Sequence, residues 1–200
     1  MVDYNITELN IPCKGLTKLP DDIVKYTNLE KIYCQYNNLT SIDNLLSTLK
    51  ELYCYSNQIT SLDNLPSNLK YLDCSYNNLT SLDNLPPKLE VLYCGSNNLT
   101  SLDNLPPTLI KLNCTHNEIT SLDNLPPSLI ELYCYNNEIT SLNKLISTLK
   151  ELDCTHNEIT SLDNLPSKLD ILYCNHNPLK YNFEPTLENI RNYNASKKTI

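Results

Sequence analysis

Glycine, tryptophan, phenylalanine and methionine are nearly missing from this chain, whose 200 residues hold two Gly, one Phe, one Met and no Trp. Without glycine-rich loops there is no ready means of gathering the several oxygen ligands that a calcium ion needs. Positive charge is also short, with 15 Lys and Arg against 23 Asp and Glu and a formal net charge of −8. The basic residues form no patch, so the electrostatic source of phosphate-backbone binding is absent and nucleic acid is not an expected partner. No apolar run approaches the ~20 residues of a membrane-spanning helix. The opening Met1-Val-Asp-Tyr-Asn-Ile-Thr-Glu8 has neither the basic nor the apolar region of a secretory signal, so the protein is read as intracellular. A nucleophile, a base and an anion-binding element do not converge in the sequence, so neither enzymatic activity nor a cofactor is expected.

What the chain has instead is a period. Cys34, Cys54, Cys74, Cys94, Cys114, Cys134, Cys154 and Cys174 recur every twenty residues without insertion or deletion. One unit runs Leu89-Glu-Val-Leu92-Tyr-Cys94-Gly-Ser-Asn97-Asn-Leu99-Thr-Ser-Leu102-Asp-Asn-Leu105-Pro106-Pro107-Lys. Apolar residues alternate with an outward one in Leu92-Tyr93-Cys94, which predicts a strand. Asn97 then turns the chain inward, and Leu99, Leu102 and Leu105 are expected as further inward anchors. Pro106 and Pro107, like Pro86-Pro87 and Pro126-Pro127, remove backbone donors and fix φ, so the return leg should be extended and polyproline-like rather than helical. The fragment LxxLxCxxN is the signature of a leucine-rich repeat. The expected fold is a mostly β member of the α/β solenoids, a horseshoe with a concave parallel sheet, an extended convex side and a short C-terminal capping helix. One unit alone buries too little apolar surface to fold, so the array should stabilise collectively.

The period leaves no internal boundary, so one continuous domain is expected: a capping repeat at 1–28, twenty-residue repeats over 29–178, and a cap and tail at 179–200. Ile6-x-x-Leu9-x-Ile11 reads as a first strand, with Ile11 where later repeats carry Cys, and Asp21–Asn28 as a helical turn on the back. Pro185–Tyr193 reads as a short helix whose Leu187 and Ile190, with Phe183, cover the last core layer. Ser196–Ile200 reads as a loose basic tail.

Eight of the nine cysteines occupy one inward column. In-register side chains on parallel strands point the same way, with Cβ atoms about 4.8 Å apart where a disulfide needs about 3.8 Å, so no disulfide is expected and the thiols read as small buried hydrophobes. A straight column also cannot supply the tetrahedral ligands of zinc, and no metal is expected. Cys13 lies off the ladder and should be exposed. Asn37, Asn57, Asn77, Asn97, Asn117, Asn137, Asn157 and Asn177 form a second ladder, which should satisfy buried backbone groups at a tight turn. Asp43, Asp63, Asp83, Asp103, Asp123 and Asp163 form a third, interrupted by Asn143. Each Asp is expected to bond its own backbone.

Specificity must lie where the repeats differ. The outward columns hold ten of the fourteen tyrosines, a concentration of rigid amphipathic rings typical of binding surfaces, although Tyr also favours strands. The expected protein-binding residues of the concave face are Tyr33, Tyr53, Tyr55, Tyr71, Tyr76, Tyr93, Tyr133, Tyr135 and Tyr173, with His116, His156 and His176, which share one column. No carboxylate or thiol completes a metal site around these histidines. Glu118, Glu138 and Glu158 make the C-terminal half of the loops more acidic, which would steer a basic partner.

Leu125 to Leu142, LPPSLIELYCYNNEITSL, resembles the short repeats of leucine-rich-repeat effectors that enteric bacteria inject into host cells. The LYCxxNxLTSLDNLP form, with its AT-rich composition, is most similar to leucine-rich-repeat proteins of giant, mimivirus-like DNA viruses of amoebae. The resemblance covers residues 6 to 180 and implies a scaffold that binds a protein, often of the host, and a host-cytoplasmic location if the chain is viral. The ubiquitin-ligase domain of some bacterial relatives uses a cysteine, and none lies in 179–200, so that activity is not expected. The competing expectation is a structural or self-assembling protein, such as a homodimer or virion component.

Overall fold

The computed structural model describes residues 4–197. Nine three-residue strands, β1 (Glu8–Asn10), β2 (Lys31–Tyr33), β3 (Glu51–Tyr53), β4 (Tyr71–Asp73), β5 (Val91–Tyr93), β6 (Lys111–Asn113), β7 (Glu131–Tyr133), β8 (Glu151–Asp153) and β9 (Ile171–Tyr173), form one parallel sheet in sequence order. From β2 onward each residue pairs with the one twenty further on, as Ile32 does with Leu52. Between β1 and β2 the step is twenty-three, Leu9 to Ile32. The three extra residues accompany a 3-10 helix at Asp21–Lys25, where the helical turn was expected, with Ile23 buried beneath it.

The strand is short because the chain turns at once. Tyr36, Ser56, Tyr76, Ser96, His116, Asn136, His156 and His176 all adopt φ between +52° and +57°, the left-handed region that is costly for residues with a Cβ. The sequence reading placed this column on the sheet; it lies instead in the turn beyond each strand. The asparagine ladder holds that turn. Asn97 Nδ2 donates to the carbonyls of Cys94 (3.0 Å), Gly95 (3.3 Å) and, one repeat earlier, Cys74 (3.1 Å), while its Oδ1 accepts the Leu79 N–H at 2.9 Å. Both N–H groups of a side chain that is 8% exposed are thereby used, one of them shared between two carbonyls, and its oxygen accepts one bond.

The core is a stack of identical layers. In the fifth, Leu89, Leu92, Cys94 and Leu99 are fully buried and Leu102 nearly so. Leu105, expected inward, is only half-buried, and Pro106 takes the inward place beside it. The back is extended and broken by turns at Asp103-Asn104 and Pro107-Thr108. Pro107 follows the first position of a turn closed by Leu109 N–H to Pro106 O at 3.1 Å, the place where its fixed φ fits best.

The aspartates do not bond their own backbone as expected. Ser61 Oγ donates to Asp63 Oδ2 at 2.6 Å and accepts the Asp63 N–H at 3.1 Å, while Asp63 Oδ1 accepts from Asn84 of the next repeat at 3.0 Å. Asn104 reaches Asp83, Asn124 reaches Asp103 and Lys144 reaches Asp123 in the same way, at 3.2, 2.7 and 2.6 Å. A further ladder runs along the back, where the hydroxyls of Thr108, Ser128 and Thr148 donate to the carbonyls of Leu89, Leu109 and Leu129 at 2.7–2.9 Å.

At the C-terminal end the helix α1 spans Leu187–Lys197. Ile190 is fully buried, with Leu187 and Phe183 packed partly against the core. The helix is longer than expected, because Arg191 donates to the carbonyls of Ser167 and Leu169, Asn194 Nδ2 to that of Leu162 at 2.9 Å, and Lys197 pairs with Asp163 at 3.1 Å. Ser196 and Lys197, expected in a loose tail, belong to it; the rest of that tail lies outside the described residues.

Candidate protein-binding face

Strand periodicity sends Leu92 and its equivalents into the core and the residues on either side of it, such as Val91 and Tyr93, onto the opposite face of the sheet. There the tyrosines meet. Tyr33 stacks on Tyr53 with ring centroids 4.6 Å apart and planes at 14°; Tyr53 meets Tyr71 at 4.7 Å and Tyr71 meets Tyr93 at 5.7 Å. Tyr71 belongs to the neighbouring column and leans into the place that the shorter Asp73 leaves between Tyr53 and Tyr93. Lys111 does the same between Tyr93 and Tyr133, its Nζ 5.9 and 5.1 Å from the two ring centroids and 2.7 Å from Glu131 Oε2.

The rings are half-buried by one another, and their hydroxyls show it. Burial first, then a hydrogen bond to Glu51 at 3.1 Å, pushes the Tyr53 hydroxyl up to about 12. Burial likewise pushes Tyr133 up to about 12 and raises Tyr71. The carboxyl of Asp73 is raised by burial, against the pull of hydrogen bonding from the Ser75 hydroxyl and N–H.

A second aromatic group lies just past the strands. Tyr36 meets Tyr55 edge-on at 5.2 Å, and His116 meets Tyr135 edge-on at 4.9 Å. Between Tyr55 and Tyr135 the column shrinks to Ser75, Gly95 and Thr115. A Cβ on Gly95 would stand 2.8 Å from Thr115 Oγ1 and 3.2 Å from Asn113 Oδ1, so glycine is required for this close approach. His156 and His176 stack in parallel, 4.0 Å apart, and face-to-face rings do not converge on a metal. Among the described residues no group of three or more His, Cys, Asp or Glu is arranged to hold one.

The structure thus brings Tyr33, Tyr53, Tyr71, Tyr93 and Tyr133 into one run. Tyr173 stands at the far end on β9, 52% exposed. Tyr55 and Tyr135 flank the small-residue stretch, and Tyr76, His116, His156 and His176 lie in the left-handed turn column. Sequence reasoning missed Lys111 as part of the run; the tyrosine at position 71, in the same column, was the available signal.

The cysteine column lies behind this face. Cys34 and the seven ladder cysteines from Cys54 to Cys174 are buried and Cys13 is exposed, as expected. Burial pushes the thiols of Cys34 and Cys114 up to about 12 and those of Cys54, Cys74, Cys94 and Cys134 well above their ordinary value.

A nine-stranded parallel sheet wound on this period, with a single helix at its end, is a leucine-rich-repeat solenoid, a fold typical of protein–protein interaction scaffolds. Residues 27–67, 47–87 and 67–107 match the family described as Leucine Rich repeats (2 copies). Among solved structures, YopM from Yersinia enterocolitica WA-314 is 34% identical over 90% of this chain and 40% of its own, with a TM-score of 0.82. The functional domain of InlJ from Listeria monocytogenes, which includes a cysteine ladder, is 33% identical over 92% of this chain and 46% of its own, with a TM-score of 0.66. A Shigella effector LRR domain is 25% identical over 98% of this chain and 77% of its own, with a TM-score of 0.67. The chain therefore spans less than half the length of the YopM and InlJ structures it matches. No curated protein matches it in sequence. No helix among the described residues is long and apolar enough to cross a membrane.

Proposed function

We propose that this chain is a non-enzymatic scaffold that binds another protein through the tyrosine-rich, concave face of its sheet. The observation that carries this reading is the run Tyr33, Tyr53, Tyr71, Tyr93, Lys111, Tyr133, whose rings are already stacked, partly exposed, and covered among the described residues by no helix or strand. Such rings supply large contact area, and because they hold one another in place, little ordering entropy is left to lose on binding. Residues 1–28 and 179–200 act as caps on the repeats of 29–178 in this reading. The buried, unpaired thiols fit an intracellular, reducing setting, which is the host cytoplasm if the chain is viral, as its composition suggests.

The test is to immobilise the full chain under reducing conditions, pass candidate host lysate over it, and compare it with a Tyr53, Tyr93, Tyr133 and Tyr173 to Ala variant whose fold is verified by circular dichroism. A protein held by the parent and lost by the variant supports the scaffold; equal retention by both removes the tyrosine face from the account.

A second reading, self-association, is favoured by the end of the sheet. Ile171 and Tyr173 on the last strand are 42% and 52% exposed, and an edge strand offers unpaired backbone groups. Light scattering across a concentration series decides it, since a mass that stays at one chain throughout rules out self-association.

A further inference from the structure

Three lysines that stand apart in the sequence line one recess of about 390 Å³, on the flank of the solenoid where the chain runs into its early strands. Lys50 and Lys70 directly precede β3 and β4, and Lys88 lies in the turn before β5. Lys50 and Lys70 are the one pair of lysines at the same position of consecutive repeats. Their column reads Glu30, Lys50, Lys70, Glu90, and Lys50 Nζ turns back to Glu30 at 2.6 Å while Lys70 Nζ turns forward to Glu90 at 2.7 Å. Like charges on neighbouring strands repel, and the two glutamates draw the ammoniums to opposite sides, so the space between them is left open. The polar side chains around it are already fixed. Thr48 Oγ1 donates to Leu29 O at 2.7 Å and Asn68 Nδ2 to Ser47 O at 3.0 Å, while Asn68 Oδ1 accepts from Lys88 Nζ at 2.9 Å. An ammonium carries three N–H donors, so each of the three lysines keeps donors beyond the one it has used.

We propose that this recess holds a phosphate group, free or carried on a side chain of a partner protein. A phosphate monoester brings about −1.5 to −2 charges and three acceptor oxygens, one for each ammonium, and its tetrahedral shape suits donors that approach from several sides. A carboxylate has two oxygens in one plane and leaves one of the three lysines unmet. Lysine binds phosphate as a point charge, and the ion pairs to Glu30 and Glu90 are exposed ones that contribute little and loosen readily. Three lysines interrupted by two acids are too few to follow a nucleic-acid backbone, so the ligand is a single phosphate. Further along the same column Glu90 is followed by the uncharged Ile110 and Ile130, which confines the feature to this part of the array. The recess lies on a different surface from the tyrosine run, and the proposal stands or falls without it.

Titration of the full chain, read by NMR, tests this with three probes: inorganic phosphate, the peptide acetyl-Gly-phosphoserine-Gly-amide, and the same peptide without its phosphate. Inorganic phosphate and the phosphopeptide should each shift the backbone amides of Lys50, Asn68 and Lys70 saturably at millimolar concentration, and the unphosphorylated peptide should not. Tighter binding of the phosphopeptide assigns the group to a partner's side chain; equal or tighter binding of inorganic phosphate assigns it to the free ion. Lys50→Gln with Lys70→Gln should weaken either ligand by about tenfold or more and abolish the localised shifts. Both side chains are half exposed, so that variant should fold, which circular dichroism checks. Lys150→Gln with Lys168→Gln removes as much charge from the same flank and should leave the affinity nearly unchanged. Absence of saturable shifts with both phosphate probes, shifts confined to other residues, equal binding of the unphosphorylated peptide, or equal losses in the two double variants overturns the proposal.

Discussion

The side-chain amide of Asn97 donates to the carbonyl of Cys74, one repeat earlier, at 3.1 Å. The relationship recurs from Asn57 to Asn177, each amide joining the cysteine carbonyl of its own repeat to that of the repeat before, as in Asn117 to Cys114 and Cys94 at 3.0 and 3.2 Å. The conserved geometry of the turn and the cohesion between repeats are therefore one set of bonds.

Replacing Asn97 by Ala leaves the Leu79 N–H unpaired in a site closed to water, while the carbonyls of Cys74, Cys94 and Gly95 keep the Asn77 amide, the Asn117 amide and the Tyr76 N–H. The expected loss is about 3 kcal/mol, the upper end of the about 1–3 that a buried polar group left unpaired costs, because three further hydrogen bonds go with it. Asn177 makes the same bonds but is half-exposed, so water replaces them and Asn177→Ala should cost only about 1 kcal/mol. Urea denaturation of the two variants checks this, and equal losses would show that burial is not what gives the ladder its strength.

The thiol ladder should make the fold sensitive to alkali. In the unfolded chain thiols lose their protons from about pH 8.5, whereas burial keeps those of Cys34 and Cys114 protonated up to about 12. Their contribution is whole below pH ~8.5 and is lost as pH rises toward the folded value, at about 1.4 kcal/mol per pH unit for each thiol. Denaturation midpoints should fall from pH 9 upward, less steeply in Cys94→Ala, and a flat profile would contradict the assignment. In native buffer a thiol reagent should modify Cys13 at once and the others only after unfolding.

On the acid side the aspartate ladder behaves oppositely. Asp63 is lowered by the Ser61 hydroxyl and then by Asn84, and Asp123 by Lys144 first. Lowered carboxyls contribute stability that is present above the ordinary value of about 3.9 and lost as pH falls through the folded value. Carboxyl titration by NMR should show Asp123 moving back toward the ordinary value in Lys144→Ala, while Asp63 stays in place.

Gly95→Ala should destabilise by about 1 kcal/mol through overpacking, because its Cβ meets Thr115 Oγ1 at 2.8 Å. Adding Thr115→Ala should recover part of the loss and not all, since the Thr115 carbonyl still lies 3.2 Å away. A thermal-melt double-mutant cycle measures the coupling; additive effects would mean that the backbone shifts freely here.

Contacts whose partners stand at fixed register were legible in the sequence. The strand at Leu92, the buried Cys94 and the structural Asn97 follow from period and alternation alone, as do the helical turn at Asp21–Lys25 and the burial of Ile190. What escaped depends on side-chain reach between repeats. Nothing local distinguishes an Asp that bonds itself from one that accepts from Asn84 of the next repeat, and the crossing of Tyr71 and Lys111 into a neighbouring column requires ring positions that a pattern of letters does not carry. The left-handed turn column was hidden for another reason: Ser96 and Tyr76 are not residues that ordinarily signal positive φ, and the His and Asn residues that do are mixed among them.

Because every repeat from β2 to β9 meets its neighbour through the same twenty-residue offset, the gene can lose or gain one such block while the remaining strands keep their register. Unequal recombination would then lengthen or shorten the tyrosine-bearing sheet in steps of about 4.8 Å, so a change in copy number alters the span of that face before any single residue has been substituted.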